Sequence, residues 1–486
     1  MSVIDIITIL PPVIVTAWAI LLLIGDLWIP RDRKGLTALL AAFGLAIALG
    51  VDLALGGAHS RPPAFHGMVV LDGFAVYANV LILGSALLGV ALAYDHIRRT
   101  GIERGEYYIL LLLSTAGMML MVQAYDMIVI FLALELLSIP LYVLAGFARP
   151  RPESEEASLK YFLLGTFASA FVLYGTSLIY GATAHTDLGG IVAAVQTGGS
   201  DFSLPLLLVG AALVLIGLGF KVSAVPFHMW TPDVYQGAPT PVTAFMAVAV
   251  KVAGLGALLR VFIVAFPSIA AQITSVVWAL AALTMIVGNV LAIVQTNIKR
   301  LLAYSSIAHV GYLLMAFVSF GQGQVVSDAV AATLFYLVGY GLTSFAAWGV
   351  VIAAEQKEGR GLELDDYAGL GRKYPWLGVA MMAAMFSFTG IPPTLGFWGK
   401  FYVFEAAVKA GAPGLALIGL LTSLFSAYYY LRVLVVMYMR PGEPAARQEG
   451  WLNLVTIASA AAVVVLSFFP GAIYDLAAKA MLLLSM

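Results

Sequence analysis

The sequence predicts an all-α integral membrane protein of about fourteen transmembrane helices, and three observations predict it. Of its 486 residues, 62% are hydrophobic and only 10% charged, against roughly 45–50% and about 25% in a soluble domain. Apolar runs of about 20 residues, each long enough to cross a hydrocarbon layer roughly 30 Å thick, recur along nearly the whole chain. Lysine and arginine alternate between successive connections, as the fixed orientation of a polytopic chain requires.

Apolar runs and the residues that interrupt them place spans at 6–28, 36–56, 72–95, 106–123, 126–148, 158–183, 204–235, 240–266, 271–294, 299–319, 326–354, 374–408, 413–439 and 451–469. The first lacks the basic region and cleavage site of a secretory signal, so it is expected to remain as a helix. Segments 204–235 and 374–408 exceed an ordinary span. They contain Pro226 and the pair Pro392–Pro393, which marks helices seven and twelve as broken. The largest polar connection runs from Glu355 to Lys373, so no soluble domain interrupts the chain. The stretch from Pro470 to Met486 is expected as a short amphipathic helix at the membrane surface.

Charge tests this count independently. The odd connections hold Arg31, Arg33, Lys34, Arg98, Arg99, Arg104, Arg149, Arg151, Lys299, Arg300, Lys357, Arg360, Arg372, Lys373, Arg440 and Arg447, whereas the other side has Arg61, Lys409 and Lys479. That asymmetry places the odd connections in the cytoplasm and both termini outside a cell membrane, plasma or inner. Net charge is −1 and no long basic run occurs, so neither nucleic acid nor a polybasic lipid-binding surface is expected. Partners are expected within the membrane. The absence of cysteine excludes disulfides, thiolate metal sites and iron–sulfur ligation in this chain. No histidine pair has metal-ligand spacing and no glycine-rich phosphate loop follows a strand, so no cofactor or metal site is expected.

Six basic residues remain inside or at the ends of spans, where a charge costs a few kcal/mol or more. Lys221 stands five residues before Pro226, which opens the helix and frees carbonyls able to hold water or an ion; snorkelling to a helix end is the alternative. Lys251 sits about ten residues from either end of span eight among small apolar residues, suited to proton exchange unless a structural ion pair holds it. Lys400 follows the second break, with Glu405 as an uncertain neighbour. Glu135, the acid inside span five, is expected to pair with a buried lysine, switchably or as a fixed structural pair. His228 beside the first break and His309 among Tyr304, Ser305, Ser306 and Tyr312 are candidate relay members or ordinary hydrogen-bonding histidines. Lys160 begins span six as a relay residue or a surface anchor, and Arg260 and Arg432 are expected as anchors.

Spans seven and twelve each combine a break, glycines and one lysine, five spans apart. An odd separation runs the copies in opposite directions, the mark of inverted repeats. The expected organisation is a three-helix segment (1–105), two five-helix repeats (106–266 and 271–439) and a last helix with its tail (450–486).

The stretches GLGFKVSAVPFHMWTPDVYQGAPTPVTAFMAVAVKVAG, QTNIKRLLAYSSIAHVGYLL and FSFTGIPPTLGFWGKFYVF resemble the antiporter-like membrane subunits of complex I (NADH:quinone oxidoreductase) and of Mrp antiporters, over residues 105 to 435. The resemblance implies fourteen helices, two inverted five-helix repeats and an essential glutamate–lysine pair. Glu135 and Lys221 match that pair, Lys251 the central lysine of helix eight and Lys400 the terminal residue of helix twelve. Within the family, the chain's end soon after span fourteen and its lysine at position 400 point to the subunit N branch. Such a resemblance further implies outward proton movement driven by quinone reduction elsewhere. NADH, FMN, iron–sulfur clusters and quinone would then belong to partner subunits, further antiporter-like ones and membrane lipids being the neighbours. A cation/proton antiporter of an Mrp-type or hydrogenase-linked complex is the alternative, and sodium dependence would mark it.

Overall fold

The structure, a computed structural model, describes residues 2–30, 33–56, 62–198, 202–320, 322, 324–356, 360–480 and 482. Arg31, Arg61 and Lys357 of the charge count, and the end of the tail, lie outside the described residues. Among the described residues the chain is helical, with only isolated extended bridges. Three helices open it: α1 (Val3–Gly25), α2 (Gly35–Gly56) and α3 (Gly73–Arg99). Ser2 and Asp5 start α1 through a capping box, and Asp72 starts α3 by accepting the amide of Ala75.

Next come α4 (Glu106–Gln123), α5 (Met127–Ala145), α6 (Pro152–Thr183), the short α7 (Leu188–Thr197), α8 (Leu204–Val222) and α9 (Trp230–Gly237). The eighth span is a continuous rod, Thr240–Ala265. In it α10 (Thr240–Phe245) and α11 (Lys251–Arg260) are each followed by a π-helical stretch, Met246–Val250 and Val261–Ala265. The second half holds α12 (Ala270–Ile293), α13 (Ile298–Leu314), α14 (Gln324–Ala354), the single-turn α15 (Leu370–Lys373), α16 (Pro375–Thr389), α17 (Leu395–Lys409) and α18 (Pro413–Met439). The chain closes with α19 (Gly450–Val465) and α20 (Pro470–Lys479), the latter within the segment expected at the surface.

Thirteen helical stretches among the described residues are long and apolar enough to cross a membrane. The remaining expected span, the twelfth at 374–408, falls outside that number because its break divides it into α16 and α17, 15 residues each. The break in 204–235 falls differently. There α8 alone, at 19 residues, is long enough to cross and α9 has only 8. Helix α7, capped by Asp187, was not anticipated from the hydropathy.

The repeat is visible in backbone detail. Asp126 caps α5 by accepting the amides of Ile128 and Val129 and bridges to Asp187 beyond α6. Asn297 caps α13 by accepting those of Lys299 and Arg300 and bridges to Glu363 beyond α14. A Cβ on Gly117 would lie 2.4 Å from the Leu137 amide, and one on Gly288 would lie 2.6 Å from that of Ala308. Both glycines therefore permit the same backbone contact between neighbouring helices. One constant separation along the chain relates Asp126 to Asn297, Gly117 to Gly288 and Ser138 to His309. The same five-helix unit is used twice, five spans apart and so inverted.

The rod Thr240–Ala265, α13 and α14 are almost wholly buried, while α1, α2, α18 and α19 present much of their surface outward. Polar groups on the three inner helices are thus removed from lipid, the condition under which they are tolerated at membrane depth.

Candidate functional site: a buried line of amines, hydroxyls and a histidine

At the first break α8 ends at Val222, and Ser223 adopts the left-handed conformation (φ 71°) with its amide donating to Gly219 and Phe220. Lys221 occupies the last turn. Its Nζ donates to Ser138 Oγ at 2.8 Å and Tyr161 OH at 3.0 Å. Ser138 lies within α5, and the Tyr161 ring is stacked on Trp230, with centroids 4.6 Å apart. Trp230 in turn donates to the Phe220 carbonyl at 2.9 Å. Three helices thereby orient one amine.

Lys251 stands where the first π-helical stretch passes into α11, a backbone irregularity that recurs at functional sites. Its Nζ points at the Val222 carbonyl, 3.5 Å away, at the open end of α8. A Cβ on Gly254 would meet Val222 Cγ1 at 2.7 Å, so glycine lets the two lysine-bearing helices close together. Among the described residues neither Lys221 nor Lys251 has an ion-pair partner, and both are buried.

At the second break α16 ends at Thr389 with Gly390 at φ 88°. Lys400, in α17, donates to the carbonyls of Phe388 and Thr389 at 2.8 and 2.9 Å and to Ser423 Oγ at 2.6 Å. A cation thus meets the carbonyls that a helix end leaves unpaired. Gly396 is required there, because a Cβ would lie 1.9 Å from the Ser387 carbonyl. As expected from the sequence, the two lysines stand on opposite sides of their breaks: Lys221 precedes its break and Lys400 follows its own. Matched on Ser223 and Gly390, the counterpart of Lys221 is Phe388, and that of Lys400 is Asp233.

His309, on α13, joins the two regions. Its Nδ1 lies 2.6 Å from Tyr336 OH and its Nε2 3.1 Å from Tyr430 OH, and Tyr430 also bonds Ser305. Tyr340 donates to Ser306 at 2.9 Å. Asn289 donates to Tyr312 at 3.3 Å and accepts from Tyr429 at 3.0 Å, and the Tyr312 ring lies 4.8 Å from Lys400 Nζ. His309 is within electrostatic reach of both Lys400 and Lys251. The structure therefore brings together Lys221, Lys251, His309 and Lys400. Sequence reasoning missed Ser138, Tyr161, Tyr336, Tyr430 and Ser423. The available signal was the run of tyrosines in apolar helices, whose hydroxyls need partners once buried.

Other expected residues stand apart. Glu135 is only half-buried, makes no ion pair among the described residues and reaches Lys221 only as a more distant charge. Ser138, one turn further along α5, occupies the place beside the amine. Lys160 is 41% exposed and bonds Glu156 and Asp233 at 2.6 and 2.7 Å. With Arg300 it rims an open cavity of about 430 Å³, as an anchoring residue would. His228 lies half-buried in the link between α8 and α9, and its Nδ1 has no hydrogen-bond partner among the described residues. Glu405 pairs with Lys409 at 3.0 Å on an exposed face. Arg432 caps α12, donating to Ile293 at 3.0 Å and to Gln295.

Arg260 corrects the expectation of an anchor. It is 0% exposed, grips Asp72 through two bonds of 2.9 and 2.8 Å and donates to Val122 at 2.9 Å.

A second buried polar cluster lies beyond the basic ends of the three inner helices. Glu355, just past α14, accepts from Thr240 at 2.6 Å, with His96 at 3.7 Å and Arg151 at 3.9 Å. Burial pushes its carboxyl up, but the opposing charges of His96 and Lys299, the Thr240 hydroxyl and Arg151 together hold it below the ordinary glutamate range. Its partners are far apart in sequence, which is why no local pattern revealed it. Among the described residues no group of three metal-ligating side chains occurs.

Residues 124–426 match the family described as NADH:quinone oxidoreductase/Mrp antiporter, TM. A relative from Trichlorobacter lovleyi named NADH-quinone oxidoreductase subunit N is 44% identical over 483 residues, covering 98% of this chain and 97% of the relative. A chain of respiratory complex I from Thermus thermophilus with bound aureothin superposes with TM-score 0.81 at 37% identity, over 96% of this chain and 99% of that one. A chain of the Mrp complex from Dietzia sp. DQ12-45-1b superposes with TM-score 0.85 over 99% of this chain and 97% of its own length; at 22% identity, that likeness is of fold.

Proposed function

The chain belongs to the NADH:quinone oxidoreductase/Mrp antiporter transmembrane family, and from that premise we propose that it is a proton-translocating membrane subunit of the subunit N type. Its assembly is a NADH-quinone oxidoreductase, an H⁺-translocating enzyme to which this chain contributes no redox site. NADH, FMN, iron–sulfur clusters and quinone sit in partner subunits, and other antiporter-like membrane subunits adjoin it. The units are 106–266 and 271–439, preceded by 1–105 and followed by 450–486. The protein lies in a plasma or inner membrane with both termini outside.

One observation carries the reading. Three buried amines and a histidine, with hydroxyls bonded to most of them, run through the most buried helices from one helix break to the other. Such groups are costly in a membrane interior and have no use in a scaffold. Lys221, Lys251, His309 and Lys400 exchange protons in turn, Tyr336 and Tyr430 relay, and the carbonyls at Val222 and Thr389 hold the charged amines. Glu135 modulates Lys221 from a distance, while His228 and Lys160 serve the entrances. The test is the proton-to-electron ratio of the assembled complex in sealed vesicles. Lys221→Ala, Glu135→Ala and Lys400→Ala should lower it while the complex still assembles; an unchanged ratio in well-assembled variants overturns the assignment. Activity that follows sodium rather than quinone reduction would instead mark a cation antiporter.

A further inference from the structure

On the basic face, three helix ends meet at a groove that opens outward. Its walls are the first turns of α2 and α19 and the last turns of α3. It encloses about 280 Å³ and is almost entirely apolar, with Leu39, Leu87, Ala91, Tyr94, Trp451 and Leu454 among its lining residues. Leu39, Trp451 and Leu454 are 48%, 46% and 57% exposed. The groove spans about 10 Å along α3, seven residues at 1.5 Å each.

What stands at its mouth selects the occupant. A helical period of 3.6 residues puts Arg98 above Leu87, Ala91 and Tyr94, one turn beyond the tyrosine and on the same face. Neighbouring cations are neutralised within the protein: Lys34 pairs with Asp26 at 2.6 Å and Arg99 with Glu449 at 2.9 Å. Arg98 is exposed and, among the described residues, has no ion-pair partner. It also borders a basin of about 370 Å³ whose walls, among the described residues, include Arg99, Arg149 and Arg151 and no carboxylate, although Arg149 and Arg151 lie 3.8 and 3.9 Å from Glu155 and Glu355. Tyr94 and Trp451 sit between the two zones, at the level where amphipathic rings prefer the membrane boundary.

We propose that this groove is a binding site for an anionic phospholipid, its acyl chain between α2, α3 and α19 and its phosphate on Arg98 in the arginine-walled basin. The site is independent of the proton line. The sequence contains no basic run to announce it; folding collects the arginines from two connections. A single arginine near an anionic headgroup is worth about fivefold in affinity.

The test uses the purified complex reconstituted into vesicles of dioleoyl phosphatidylcholine doped with acyl-brominated phosphatidylglycerol or acyl-brominated phosphatidylcholine. The quenching due to Trp451 is isolated by subtracting that of the Trp451→Phe complex. Phosphatidylglycerol should reach half-maximal quenching at about fivefold lower mole fraction than phosphatidylcholine. Arg98→Gln should erase the preference, and added inorganic phosphate should leave it intact. Equal quenching by both lipids overturns the proposal, and so does absence of Trp451 quenching, which would mean that a partner helix fills the groove. Loss of the preference on adding inorganic phosphate would show a free-anion site and overturn it as well.

Discussion

Lys221 depends on two hydroxyls, and each can be removed alone. Tyr161→Phe and Ser138→Ala each delete one bond to a buried amine, an interaction worth about 1.5–3 kcal/mol when one partner is charged. The expected outcome is proton translocation slowed by about tenfold with assembly retained, read as pumping rate against quinone reductase activity. Lys251→Arg should also slow pumping, since arginine does not release its proton. The buried Arg260–Asp72 pair behaves differently, because its role is structural. Asp72→Leu leaves a guanidinium buried without its counter-charge and should cost about 3–5 kcal/mol, seen as a lower melting temperature. The double variant Asp72→Leu/Arg260→Met should recover much of that loss, because an apolar pair avoids the desolvation penalty.

The breaks are properties of elements, and the two differ in how tightly they are specified. Ser223 holds φ 71° with a Cβ, whereas Gly390 at φ 88° has none to strain. Ser223→Gly relieves that strain but removes the buried hydroxyl that accepts from Thr231 Oγ1 at 2.6 Å, so it should not raise stability, while Gly390→Val should lower it by about 1–2 kcal/mol. Melting curves of the two variants check both signs. Gly396→Ala is predicted to be the most damaging substitution at the second break, because the contact it would create is with backbone. All three prolines, Pro226, Pro392 and Pro393, were legible as breakers. Their exact effect was not, since a proline says where a helix stops but not which side of the stop faces a neighbour's hydroxyl.

Across the whole molecule, Glu355 ties α3, the rod Thr240–Ala265 and the connection at Arg151 to the end of α14. Its native carboxyl titrates below the ordinary glutamate value of 4.5. The stability it contributes is therefore fully present above that value and is lost as pH falls through the lower native one. Glu355→Gln should melt lower at neutral pH and lose this part of the pH dependence as acid is added. Melting temperature measured from pH 7 down to about 2, through the window below the ordinary glutamate value, distinguishes the variant from the native chain. A fall with acid as steep in the variant as in the native protein would show that other groups control it.

The sequence by itself determined the class, the apolar spans, the two breaks and which lysines lie deep, and its basic connections supply the expected direction of the spans. These are local quantities: hydropathy over about twenty residues, proline chemistry and charge in connections. Only the tertiary structure decided which groups meet. It set Ser138 rather than Glu135 beside Lys221, and it turned Lys400 onto the carbonyls of Phe388 and Thr389. It also buried Arg260 against Asp72 and gathered Glu355 with His96 and Lys299. Each of those depends on how one helix is rotated against another, and small differences in rotation move a side chain between lipid, water and a buried partner without altering the hydropathy that the sequence displays.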